Sequence, residues 1–404
     1  MSSNTAHEPP DPSVPAQRAS LREVAAFFLR LGVTAFGGPA AHIAIMEDEL
    51  VRRRRWLSRE KFLDLFGASN LIPGPSSSEL AIHIGYLRAG WPGLVVAGFC
   101  FILPAACIVG ALAWAYVKFA HLPAVSAVLY GVKPVVIAVI LQALYGLGRT
   151  AIKSKFLAAV GLVSLVLAAL SLRPLLLLVI AGLLATLPEI RHRIKRTSSP
   201  ILASLGPAAM QSRVLASAGA GAAAVATPVG LGSLFFVFLK VGAVVFGSGY
   251  VLLAFLRADL VVHRGWLTDS QLIDAVAIGQ ITPGPVFTTA TFIGYLLNGA
   301  KGAAVATFGI FLPAFVLVAA SGPLLPHIRK SKLAGAFLDG VIVASLALMA
   351  VVAWQLARAS LVDATTMVLA LISLIALLRF RLNSAWLVLF GAAAGLLVHI
   401  LKAH

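Results

Sequence analysis

Long apolar runs separated by short basic clusters organise this chain, and two of the runs are broken in the same way. Residues 62–86 stop at Asn70-Leu71-Ile72-Pro73-Gly74-Pro75 and restart behind Ser76-Ser77-Ser78-Glu79. Residues 267–297 stop at Gln280-Ile281-Thr282-Pro283-Gly284-Pro285 and restart behind Val286-Phe287-Thr288-Thr289. Proline lacks an amide hydrogen and clashes with the preceding turn, so prolines flanking a glycine predict a broken helix. What resumes is a helix start, with free amides, the positive dipole end and hydroxyl side chains at capping positions. Such an end attracts anions. Another interrupted run, 24–46, breaks at Phe36-Gly37-Gly38-Pro39, and uninterrupted spans follow near 91–117, 122–147, 156–172 and 174–189. The order then recurs: segments at 233–260 and 267–297, and spans near 302–322, 333–356, 362–378 and 383–401.

The recurrence is an internal duplication. A shift of 210 pairs Phe36-Gly37 with Phe246-Gly247, Trp56-Leu57 with Trp266-Leu267, Asp64 with Asp274, and Pro73-Gly74-Pro75 with Pro283-Gly284-Pro285. After a one-residue deletion the shift becomes 209 and pairs Gly85-Tyr86-Leu87 with Gly294-Tyr295-Leu296, and Pro104 with Pro313. The expected organisation is a disordered cytoplasmic tail at 1–20, a first repeat at 21–190, a basic linker with room for an extra crossing helix at 191–230, and a second repeat at 231–404. Duplicated halves with interrupted segments at matching places point to a secondary transporter, and to the breaks as its substrate site.

Composition fixes the solvent. Of 404 residues, 60% are hydrophobic and 12% charged, against about 25% charged in a soluble domain, so the chain is read as an all-α polytopic membrane protein. The formal charge of +17 suggests nucleic acid only until its placement is seen. The basic residues cluster between apolar runs, at Arg52 to Arg55, Arg191 to Arg196 and Arg329 to Lys332, where membrane proteins set orientation and hold anionic lipid. Cys100 and Cys107 lie two helical turns apart, about 10 Å, too far for a disulfide, and read as core filler.

If every segment crossed once, the two arginine clusters of the first half would face opposite sides. Treating the broken segments as re-entrant hairpins, with arms of about 20 Å, returns both clusters to the cytoplasm. The second half shows no comparable asymmetry of charge, so its inversion rests at this stage on whether 214–230 crosses the membrane.

The motifs Phe36-Gly37-Gly38-Pro39 with Ala41-His42, Pro73-Gly74-Pro75-Ser76-Ser77 with Glu79, Phe246-Gly247-Ser248-Gly249-Tyr250, and Gly279 to Pro285 leading to Ala290-Thr291-Phe292-Ile293-Gly294-Tyr295 resemble the chromate ion transporter family in its long two-domain form. Ser78 stands where that pattern has threonine, and the hydroxyl is kept. The resemblance implies export of chromate, a tetrahedral dianion, through the inner membrane by two homologous halves of opposite orientation, giving chromate resistance. Sulfate, with the same shape and charge, is the alternative substrate. No cofactor is implied, and a homo-oligomer is left open.

A dianion in a membrane needs several donors and compensating charge. The candidates are the helix starts behind Gly74 and Gly284, the hydroxyls of Ser76, Ser77, Ser78, Thr282, Thr288 and Thr289, the backbone at Gly37, Gly38, Gly247 and Ser248, and the matched cations Arg30 and Lys240. Plain helix capping explains each hydroxyl as well as ligand contact does, and snorkelling to an interface explains the two cations. Glu79 is the candidate proton-coupling carboxylate, although a first-turn position alone favours an acid there. His42 and His83 read as packing residues, and Asp64 and Asp274 as partners of basic side chains near an interface. A membrane enzyme acting on phosphate or lipid head groups is the alternative of another class. It needs a nucleophile with a base or a metal cluster beside the break, and the spacings supply neither. There is no phosphate-binding loop motif.

Overall fold

The computed structural model describes residues 19–36, 38–119, 122–170, 172–197, 229–246, 251–380, 382 and 384–403. Gly37, Gly247, Ser248, Gly249 and Tyr250, and nearly all of the 1–20 tail and the 198–230 stretch, lie outside the described residues. What is described is helical and repeats in order. The first half has α1 (Leu21–Thr34), α2 (Gly38–Glu47, continued by a π turn at Asp48–Arg53), α3 (Arg59–Ser69), α4 (Ser76–Phe119), α5 (Pro123–Ala151), α6 (Lys155–Ala169) and α7 (Pro174–Thr197). The second has α8 (Leu231–Val244), α9 (Leu252–Leu256, with a π turn at Arg257–His263), α10 (Asp269–Ile281), α11 (Thr289–Lys330), α12 (Lys332–Ser360), α13 (Ala364–Phe380) and α14 (Ser384–Ala403).

Length separates the arms from the spans. At 14 residues α1 and α8 reach about 21 Å, short of a bilayer core of about 30 Å. Six described helices are long and apolar enough to cross: α4, α5, α7, α11, α12 and α14. α4 is not one rod, because Ala89 and Gly90 leave helical geometry, with Gly90 at φ 63°. Gly85 then packs directly on Gly93 across that reversal, backbone to backbone. Residues 76–88 are therefore the returning arm of a hairpin, and 91–119 the first full crossing. α11 repeats this at Asn298-Gly299, with Gly294 against Gly302. The broken segments are helical hairpins, as the re-entrant reading expects.

The two halves are inverted, and polar contacts show it. The equivalent helices α5 and α12 run antiparallel: Tyr130 near the start of α5 donates to Asp363 just beyond α12, while Lys153 just beyond α5 pairs with Asp339 near the start of α12 at 2.7 Å. Each half also lends its last helix to the other. Gly131 of α5 seats Gly391 and Gly395 of α14, and Gly340 of α12 seats Ala181 and Ala185 of α7.

This gives the molecule two faces. Arg88 donates to the Trp56 carbonyl and lies over its ring, so the first-half hairpins open on the face that holds Arg52 to Arg55. The crossing 91–119 leads to the second face. There Tyr116 and Lys133 of the first half meet Asp274 and Ser270 in the arm α10 of the second-half hairpin. Following the crossings puts Lys153, Lys155, Arg191, Lys332 and Arg379 on the first face, and Lys118, Arg173, Arg264 and Lys301 on the second. Lys332 and Arg379 sit at loops whose first-half counterparts are Pro123 and Leu170, so inversion moves the first-face cations of the second half to the alternate set of loops.

The outer surface is apolar where lipid would lie: Phe99, Leu103, Leu162, Trp354 and Leu401 are exposed, and one buried cluster joins α5, α7 and α12 to the second-half hairpins. The two thiols are unpaired. Cys107 is exposed on α4, and only Cys100 is partly packed, so the core-filler reading does not hold for Cys107.

Single cysteines test this topology in a background with Cys100 and Cys107 replaced by Ala. Cysteine at Arg54 and at Arg193 should resist an impermeant thiol reagent in intact cells and react once the membrane is opened. Cysteine at Arg264 should react from outside. Labelling of Arg54→Cys and Arg264→Cys from the same side would contradict inversion.

Candidate functional site

Helix breaks inside a membrane leave backbone groups that must find partners in protein. Here each break finds its partner in the other half. The amide of Gly74 donates to the Val245 carbonyl at 2.7 Å, and the amide of Gly284 donates to the Ala35 carbonyl at 3.0 Å. Ala35 and Val245 are equivalent residues, each at the end of the first arm of its half. The two Pro-Gly-Pro tips therefore cross, each seated in the first hairpin of the opposite repeat. Ala314 flanks Gly74 and its equivalent Ala105 flanks Gly284.

Both tip glycines hold left-handed backbone, φ 140° at Gly74 and 86° at Gly284. Neither has room for a side chain. A Cβ on Gly284 would lie 2.6 Å from that of Ala105, and one on Gly74 would fall on the carboxylate of Glu79.

On the first-half side the cluster is polar and deeply buried. Ser76, Ser77, Ser78 and Glu79 are at most 5% exposed, and His42 is fully buried. The Ala35 carbonyl that receives Gly284 N–H also receives His42 Nε2 at 3.1 Å. A carbonyl only accepts, so Nε2 carries the proton, and Nδ1 is left to accept from the Ser77 hydroxyl at 3.4 Å. A chain of hydrogen bonds thus runs from the second tip, through the first hairpin, to the hydroxyl cluster behind the first tip. Among the described residues, the Ser78 hydroxyl and both Glu79 oxygens have no hydrogen-bond partner. The amides of Ser78 and Glu79 close on the Pro75 carbonyl, so the helix start faces the tip with its first-turn N–H groups.

The second-half side is built differently. Thr282 donates to the Ile278 carbonyl, Thr288 to Pro285 and Thr289 to Val286. Those hydroxyls serve their own backbone. Phe287 stands at the place of Ser77 and Leu252 at that of His42. Of the two matched cations, Arg30 is exposed on α1, and Lys240 is held by Asp259 at 2.9 Å. Gly38, at φ 75°, opens α2 in the first hairpin.

One polar cluster was overlooked in the sequence. Lys133 pairs with the buried Asp274 at 3.3 Å and donates to Ser270 at 2.7 Å, while Tyr116 donates to Asp274 at 3.0 Å. It fastens the second-half hairpin to the first-half spans. A lone lysine inside the apolar run 122–147 was the available signal.

Comparison with known proteins adds to this geometry. The family model for chromate transporters matches residues 22–186 and again 232–396. The chain belongs to the chromate transporter family. A chromate transport protein of Cupriavidus metallidurans is 33% identical over 98% of this chain and 99% of its own length. A probable chromate transport protein of Synechococcus elongatus is 34% identical, with 94% and 95% covered, and a chromate transport protein of Pseudomonas aeruginosa is 34% identical, with 80% and 77% covered. No solved structure matches. Membership makes the chain a multi-pass membrane transporter and decides against the enzyme alternative.

The tips generate a graded prediction. Gly74→Ala and Gly284→Ala combine a backbone penalty of about 1–3 kcal/mol with a steric clash, and should largely abolish stable, monodisperse protein. Gly90→Ala also sits at positive φ, with ψ −150°, but meets open space, so it should cost the backbone penalty of about 1–3 kcal/mol without the clash. Thermal unfolding in detergent orders the three. Equal tolerance of all three would show that the tips are not closely packed.

Proposed function

We propose that this protein is a secondary transporter that exports chromate from the cytoplasm across the plasma membrane, and so gives chromate resistance. The observation that carries the reading is the crossing of the two breaks between inverted halves. A site held at mid-membrane by matching elements of two oppositely oriented repeats can open to one face and then the other by rocking the hairpins. The named relatives supply the substrate. The first-turn amides behind Pro75, the dipole of that helix, and the hydroxyl of Ser78, which has no hydrogen-bond partner among the described residues, supply donors for a tetrahedral oxyanion. The inside-negative potential drives a dianion outward, by roughly 2.3 kcal/mol per charge per 100 mV.

Lys240 is paired with Asp259 and Arg30 is exposed, so the donors of the first tip are dipoles and hydroxyls. Binding by dipoles and hydroxyls suits an ion that must also leave. The basic first face is cytoplasmic under the positive-inside rule and draws the anion toward the mouth of the first-half hairpins.

The test is uptake of labelled chromate into inside-out vesicles, with sulfate as competitor. Wild-type protein should accumulate chromate above vesicles that lack it. Ser78→Ala removes a donor to a charged ligand, about 1.5–3 kcal/mol, and should weaken affinity by roughly tenfold or more. Thr289→Ala, whose hydroxyl serves the Val286 carbonyl, should change affinity by less than about threefold. Sulfate displacing chromate at equal concentration would make the site a general oxyanion site. No accumulation by well-inserted wild-type protein would overturn the reading.

A further inference from the structure

Glu79 is the one feature of the cluster that anion binding alone does not use. Its side chain is fully buried, neither carboxylate oxygen has a hydrogen-bond partner among the described residues, and it folds back so that Oε1 fills the space a Gly74 side chain would need. It is therefore aimed at the tip and at the helix start where an anion would sit. Chromate binding gains nothing from a carboxylate there, because two anions at one site repel.

The surroundings also say which species accompanies it. The tip bears on Val245 and Ala314, and the nearby cluster of Ile72, Ile82, Leu94, Ala314 and Val318 is apolar. The neighbouring titratable groups are His42, on α2 and already bonded to Ala35 and Ser77, and His83, one turn along the same helix. A sodium ion needs a shell of several oxygen ligands around the carboxylate. A proton needs no such shell. Burial without a partner makes the neutral acid the tolerated form, and the neutral acid can also donate its O–H to an oxyanion at the tip.

We propose that Glu79 is a proton-binding site that is occupied whenever the oxyanion is bound. Chromate then binds together with one proton and the carboxylate must be protonated for the site to fill; when the anion leaves, the proton is free to leave. The proton comes from solvent and returns to it, so nothing else is consumed. This rests on the transport reading above, and it specifies the ion that travels with the anion. The second half has no counterpart: threonines 288 and 289 follow its tip, so one proton per anion is the stoichiometry.

The decisive measurement is proton uptake on ligand binding by the purified full-length protein in weakly buffered detergent solution. A pH dye is used over a range in which the added chromate stays fully dianionic. Wild-type protein should take up close to one proton per chromate bound, and its affinity should fall by up to about tenfold per pH unit on the alkaline side. Glu79→Gln keeps the shape and the neutral state, so it should still bind chromate, with no proton uptake and no pH dependence. Glu79→Asp should restore uptake, and His83→Gln should keep it. Chromate binding by wild type without proton uptake overturns the proposal while leaving transport intact. Equal uptake in Glu79→Gln, or binding that follows sodium concentration instead of pH, overturns it too. Absence of chromate binding to wild type would instead overturn the transport reading, and this inference with it.

Discussion

A backbone amide with no partner is tolerated in water but not in lipid, and that constraint shapes this molecule. Two Pro-Gly-Pro breaks open helices in the middle of the membrane. Neither half can satisfy its own break, since the hydrogen bonds of Gly74 and Gly284 end on Val245 and Ala35 of the opposite half. The exchange is reciprocal, so the duplicated sequence closes on itself as a pseudo-two-fold pair. The same give-and-take recurs at the periphery, where α7 and α14 pack into glycine-lined seats on the other repeat. Inversion is then a consequence of which groups must meet.

Symmetry governs the backbone and not the chemistry. The glycines, the tips and the kinks repeat with the same conformations, at Gly90 and Gly299 as at Gly74 and Gly284. The side chains around them do not. His42, Ser77 and Glu79 make the first-half side of the crossing polar, while Leu252, Phe287 and locally satisfied threonines make the other side a rigid support. Duplication leaves both tips structurally necessary while only one carries exchangeable polar groups. Lys133 and Asp274 break the symmetry as well, by fastening one hairpin with an ion pair, since the second-half counterpart of Lys133 is Ile342.

Much of the architecture was legible because it rests on local rules. Proline and glycine broke the helices where expected, the 210-residue shift paired the elements, and arm length separated hairpins from spans. The site was legible only in outline. Hydroxyls behind a break look alike in sequence, yet Ser77 bonds a histidine on another hairpin while Thr288 and Thr289 turn to the turn before them. Matched cations suggested function through their symmetry, but their helices present them outward or to Asp259, which helix rotation decides and spacing does not. His42 was passed over because a lone histidine gives no sign of what a fold will bring to each ring nitrogen.

The crossing of the tips is the central claim, and cross-linking tests it most directly. Ile72, next to the first tip, shares a buried cluster with Ala314 on the second-half helix α11. Cysteines at these two positions, in a chain otherwise free of cysteine and cut by protease between the halves, should be joined in native membranes by a short bifunctional thiol reagent. The two halves would then migrate as one band. Failure of this pair to join, while Ile72→Cys joins a cysteine on a first-half span instead, would contradict the crossed arrangement.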